Sequence, residues 1–231
     1  MTKLAALIFL FSILATGSVP DVKVSGAMKN IMVNGDLSAH INLDTLNKTN
    51  LYGLGPVDGL KGEIMVLNGK VYATSKSGNT LLNSQDKISL ASMLVYSTVK
   101  NWRPVRIRTS VNSFAELEKL VEKTARENSY NTAIPFAFKI EVSPSIADYH
   151  VIDWKEGTTH TMPNHKQFAY SGQLSNKKSV LLGFYSKNHQ SIFTHHTSNV
   201  HVHLLDVRSE TVGHLDDIQT QGEITVYLPE K

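Results

Sequence analysis

The sequence contains no cysteine. That absence excludes a disulfide scaffold, thiolate zinc sites, iron–sulfur clusters, cysteine nucleophiles and lipid attachment at an N-terminal cysteine. Any transition metal must therefore rest on histidine and carboxylate. Charge is sparse and nearly balanced: 23 Lys+Arg against 20 Asp+Glu leave a formal net charge of +3. No lysine–arginine run is long enough to make a nucleic-acid surface, so no nucleic-acid partner is expected. The 14 glycines follow no collagen-like period, and there is neither an internal repeat nor a low-complexity segment. With 41% hydrophobic and 19% charged residues, the chain reads as a folded globular protein with ample length for a sizeable core.

Residues Met1 to Gly17 have the pattern of a secretory signal peptide. Lys3 precedes a 12-residue apolar run, Leu4 to Ala15, and Ala15 and Gly17 offer small residues for cleavage. The run is short of the ~20 residues a membrane-spanning helix needs, and no other segment comes nearer. The expected mature protein is residues 18–231, periplasmic or extracellular, with no membrane association once the leader is removed.

Helix and strand signals alternate along the remainder. Ser25 to Val33 reads as a short helix stopped by Asn34-Gly35. Glu63 to Thr74 is a hairpin with a type I′ turn at Asn68-Gly69, which sets Glu63 opposite Thr74 and Met65 opposite Tyr72. A second helix runs from Ser113 to about Glu127, opened by a Ser113/Glu116 capping box and carrying Phe114, Leu117, Leu120, Val121 and Thr124 on its apolar face. Strands are expected at Ile134 to Val142, Val180 to Tyr185, Val200 to Val207 and Glu223 to Leu228. In Trp102 to Arg108, Arg106 and Arg108 alternate with Val105 and Ile107, the mark of a strand with one solvated face. The expected fold class is α+β: mixed, largely antiparallel β-sheets in two fused β-rich lobes, about 25–143 and 144–231, with a few flanking helices.

Histidine is the residue in surplus. There are ten, eight of them at or after His160. In VHVHLLDVRSETVGHLD (Val200 to Asp216), His201 and His203 share one face of a strand because side chains alternate along it. A hairpin centred between Arg208 and Ser209 brings His214 directly opposite His203, with Cβ atoms ~5 Å apart. Three imidazoles then converge without any long-range assumption, a set suited to zinc or a neighbouring divalent ion. His165, His189, His195 and His196 lack ligand spacing and read more simply as solvated loop histidines.

Taken in order, these segments resemble the alpha-acetolactate decarboxylase family. GAMKNIMVNGDL (Gly26 to Leu37) is similar to its opening helix. YGLGPVDGLKGEIMVLNGKVYA (Tyr52 to Ala73) is similar to its hairpin ending L-x-G-E. PFAFKI, LLGFYS and HVHLLDVRSETVGHLDD resemble its later strands and its H-x-H-x10-H signature. The resemblance implies a decarboxylase that converts 2-acetolactate, a 2-hydroxy-3-keto acid, to acetoin and carbon dioxide. It implies Zn2+ on His201, His203 and His214, chelating the substrate hydroxyl and ketone as an electron sink. It further implies that Glu63 handles the proton and that Lys139, standing where the family has arginine, contacts the substrate's polar groups. A homodimer is compatible with it.

Several departures accompany the resemblance. Lys139 lacks the planar fork of arginine. Pro56 stands where the family has threonine, DYHVID (Asp148 to Asp153) lacks an arginine–threonine pair, and the tail glutamate that family members carry beyond the last strand has no counterpart in sequence. The alternatives are a catalytically altered zinc-binding or sensing module on the same scaffold, and a zinc hydrolase using Glu63 on metal-bound water.

Overall fold

Residues 18–158 and 161–231 are described by the structure, a computed structural model; the expected leader lies outside them. In chain order the first half contributes β1 (Lys23–Ser25), α1 (Met28–Asn34), β2 (Ile41–Asn42), β3 (Leu51–Pro56), β4 (Glu63–Leu67), β5 (Lys70–Ser77), β6 (Thr80–Gln85), β7 (Leu90–Ala91) and β8 (Leu94–Thr98). There follow β9 (Trp102–Val111), α2 (Phe114–Glu127), β10 (Phe136–Val142), β11 (Ile146–Val151), α3 (Met162–Phe168), β12 (Tyr170–Leu174), β13 (Ser179–Tyr185), β14 (Val200–Asp206) and β15 (Val212–Pro229). The fold is α+β, with antiparallel sheets in two lobes as expected.

The first sheet runs β1-β8-β3-β4-β5-β6, and β2 and β7 form a small ladder beside it. Its central hairpin has the expected register, Glu63 against Thr74 and Met65 against Tyr72. Asn68 and Gly69 both take positive φ, as the tight turn demands. Alternation along β4 sends Ile64 and Val66 into one apolar layer and Met65 into another, so Glu63 faces the second lobe along with Met65. Gly62 holds Glu63 at this point. It has φ 148°, and a Cβ there would collide with the Thr74 carbonyl.

The second sheet runs β10-β13-β14-β15-β11-β12. β15 is 18 residues long; Glu223 to Leu228, expected as a separate strand, is its second half. Its first half pairs with β14 and β11, its second with β9 and β10. Because β10 also pairs with β13, the sheet curls back on itself. The curl encloses Phe136, Phe138, Leu181, Val202, Leu204 and Val226, and α2 adds Leu117 and Val121 to the same core. The change of sheet comes between Thr98 and Trp102, so the seam expected near residue 143 falls within the second sheet.

α1 ends on Gly35 in the left-handed region, and α2 begins at Ser113, whose Oγ accepts from the Glu116 N–H. The reciprocal arm of the capping box differs from the sequence pattern: Glu116 Oε2 accepts from the N–H of Asn112, one residue earlier. On β9, Arg106 and Arg108 are exposed, the solvated face that the alternation implied.

Between the lobes lies a shared apolar layer, in which Tyr52, Leu54, Met65 and Met93 meet Ala137, Leu182, Phe184 and Val212. Polar ties lock the same seam. Thr74 Oγ1 accepts from the Val212 N–H at 2.8 Å, and Asn83 Nδ2 donates to Ser209 O at 2.8 Å. The histidine-bearing hairpin of the second lobe is thereby fixed against the Glu63-bearing hairpin of the first.

Candidate metal centre and active site

His203 pairs directly with His214 across β14 and β15, the register that the hairpin arithmetic requires. His201 lies two residues along the same face. One ligand nitrogen from each of the three falls within 4.8 Å of the others. Gly213 makes this packing feasible from behind, because the Tyr149 ring occupies the space where a Cβ would sit.

Two of the nitrogens are spaced as on a tetrahedral edge. Zn–N bonds of about 2.0–2.1 Å at tetrahedral angles put ligand nitrogens about 3.3–3.4 Å apart. His201 Nε2 and His214 Nδ1 are 3.2 Å apart. His203 donates its Nδ1–H to the Ile64 carbonyl at 2.9 Å, which fixes the tautomer and leaves the Nε2 lone pair facing the site. That Nε2 is buried and makes no hydrogen bond. An unpaired buried acceptor is costly unless something occupies it. Burial also pushes the His201 imidazole down to about 3, and holds His203 and His214 well below the ordinary histidine range. All three are therefore neutral, with lone pairs available to a cation. On this chemistry the three residues fit a divalent metal.

Glu63 completes the wall. Its carboxyl is 4% exposed, Oε2 lies 3.5 Å from His203 Nε2, and Oε1 accepts from the Ile152 N–H at 3.3 Å. Burial pushes this carboxyl up to about 8, while the nearby His150 charge pulls against that shift. The stretch after β11 reaches Glu63 because it is anchored locally. Trp154 N–H donates to Leu60 O at 2.9 Å, and Lys61 Nζ reaches both Asp153 and the Trp154 carbonyl.

Glu63, His201 and His214 all line a cavity of about 780 Å³, whereas His203 stands behind them. Two lining residues carry no signal in the sequence pattern. His150 pairs with His214 in the β11–β15 ladder, and Asp216 Oδ1 lies 2.7 Å from His150 Nδ1. His150 Nε2 meets His165 Nε2 at 3.2 Å. Burial opposes a charge on His150, but the hydrogen bond and the charge of Asp216 prevail and raise it above the usual imidazole range. Within DYHVID, His150 has no ligand-type spacing to the hairpin histidines; only the pairing of β11 with β15 brings it to them.

Lys139 is not brought to the cavity. It occupies the same row of the sheet, Lys139–Leu182–His203–His214–His150. Leu182 intervenes, and two inter-strand steps separate Lys139 from His203 by about 10 Å of backbone. Its ammonium is 3.2 Å from Glu141 Oε1 and 4.1 Å from the Tyr227 ring centroid. The residue expected to contact the substrate thus stands away from the cavity, and local partners hold its charge at the other end of the row. The lysines that line the cavity, among the described residues, are Lys29 and Lys166.

No curated protein sequence matches the chain. Solved structures do. Alpha-acetolactate decarboxylase from Bacillus subtilis strain 168 superposes with a TM-score of 0.73 at 16% identity, covering 91% of this chain and 86% of that one. Acetolactate decarboxylase from Bacillus subtilis subspecies spizizenii gives 0.73 at 16% identity, covering 91% and 87%. A Staphylococcus aureus protein described as similar to alpha-acetolactate decarboxylase gives 0.72 at 13% identity, covering 91% and 86%. At such identities these likenesses show a shared fold. The sequence profile described as alpha-acetolactate decarboxylase matches residues 25–230, nearly all of the described chain. The chain belongs to the alpha-acetolactate decarboxylase family.

Proposed function

We propose that the protein decarboxylates 2-acetolactate, or a close 2-hydroxy-3-keto acid, to acetoin or the matching acyloin, with a zinc ion on His201, His203 and His214. The observation that carries this reading is the convergence of three neutral imidazoles and one buried carboxyl at one end of the cavity, with His201, His214 and Glu63 on its wall and His203 directly behind them. A divalent ion held there supplies a Lewis acid to draw off the electron pair that departing carbon dioxide leaves behind. The protein's own groups do the rest. The Ile64 carbonyl orients His203 through its Nδ1–H. Leu60, Met93 and Ile152 line the same cavity and keep bulk water from the reacting carbon. That carbon then needs one proton on one face, and Glu63, beside His203, is the acid placed to deliver it. The substrate carboxylate falls to Lys29 or Lys166, since Lys139 is engaged elsewhere.

Acetoin release from racemic acetolactate by the purified protein tests this reading. Turnover should vanish on exhaustive chelation and return with one equivalent of zinc. Stoichiometric zinc binding without any turnover would instead favour a metal-binding module on the same scaffold. We also propose that the protein works outside the cytoplasm, on the strength of the apolar run Leu4 to Ala15. N-terminal sequencing of protein recovered after export should then begin near residue 18.

A further inference from the structure

The cavity is far larger than the smallest substrate requires. 2-Acetolactate has about nine non-hydrogen atoms and displaces roughly as much space as five waters, about 150 Å³. The cavity measures about 780 Å³. The surplus has a distinct chemical character. Glu63, His201 and His214 come from strands at the seam between the lobes. Much of the remaining wall comes from α1, which presents Met28, Ile31 and Met32 to the cavity. α1 is pinned as a cover by its own backbone, Met28 N–H to Ile192 O at 2.9 Å and Lys29 N–H to Ser191 O at 2.8 Å. Phe114, at the start of α2, adds an aromatic face. Met32 remains 38% exposed on this wall, a large apolar side chain with room beside it. Methionines and an aromatic ring around open space make an adaptable apolar subsite next to a reacting centre.

We propose that the preferred substrate is a 2-hydroxy-3-keto acid in which one methyl group of acetolactate is replaced by a larger apolar substituent, a chain of about four carbons or a phenyl ring, seated against α1. The inference rests on the decarboxylase reading for the reacting groups, whereas the subsite itself rests on the cavity wall. Each methylene moved from water onto that wall should gain about fourfold in affinity.

Two stable acids that lack the ketone, and so cannot decarboxylate, serve as probes: 2,3-dihydroxy-2-methylbutanoate and its 2-butyl counterpart. Calorimetric titration of the zinc-loaded protein should show the butyl acid binding at least about tenfold more tightly. Equal or weaker binding of the butyl acid, or binding of neither, overturns the proposal. Met32→Ser, an uncharged change at a partly exposed position, should cut the butyl advantage below about threefold and leave the methyl acid within about twofold of the parent. An undiminished advantage in that variant removes α1 as the subsite wall. Parallel kinetics on the two keto acids separate the two readings. Turnover of acetolactate without preference for the butyl substrate leaves the proposed function standing and sinks the subsite. Tighter butyl binding without turnover of either keto acid does the reverse.

Discussion

The row Lys139–Leu182–His203–His214–His150 crosses five strands on one face of one sheet, yet its two ends have different fates. At the histidine end the first lobe lies over the strands, and Ile64, Glu63 and Ile152 supply a carbonyl, a carboxyl and an N–H to a water-poor seam. At the other end Lys139 turns to Glu141 and Tyr227, partners from its own sheet. A shared face is thus not a shared site. Polar side chains on one sheet acquire joint chemistry only where a second element covers them and removes their alternative partners, including water.

That contrast can be broken most sharply at the histidine end. His203→Ala removes the ligand whose tautomer the first lobe fixes. It should lower metal affinity by at least about 100-fold, read as loss of stoichiometric zinc by elemental analysis. Full zinc retention would mean that the triad does not hold the ion. Glu63→Gln keeps the shape of the wall and removes the ionisable proton. The variant should keep its zinc while kcat falls on the order of 10²-fold or more; an unchanged kcat would assign the proton to another group.

Gly213→Ala probes the support behind the triad. The added methyl meets the Tyr149 ring, and overpacking of this kind costs about 1–3 kcal/mol. Thermal unfolding should show a lower midpoint in that variant, and an unaltered midpoint would show that Tyr149 can move aside. The smallest effect belongs to the other end of the row. Lys139→Met breaks a partly buried ion pair and a ring contact worth about 1 kcal/mol together, so stability should change little. Its kcat/KM should stay within about twofold of the parent. A tenfold loss would restore Lys139 to the reaction and collapse the distinction between the two ends.

Local patterns were legible wherever a short-range rule governs them. The Asn68-Gly69 turn, the Ser113 cap and the Gly35 stop appear where the sequence puts them. The opposition of His203 and His214 follows from hairpin parity alone. The environment of Glu63 was not legible, because Ile152 comes from 89 residues away and His203 from 140. The same holds for His150 and Asp216, which face each other only because β11 adds itself beside β15. Nor were the surroundings of Lys139 legible, because alternation reports which face a side chain takes, not what lies above it.

The sequence by itself determined the absence of thiol chemistry, the three-imidazole hairpin and the resemblance that names a family. These are properties of composition and of residues a few positions apart, where backbone geometry leaves little choice. Only the tertiary structure decided which carboxyl meets the imidazoles, which cation is left out, and how much apolar space adjoins them. Those outcomes depend on how two sheets pack across a seam, and that packing is set by the summed burial of side chains from both lobes rather than by any local run.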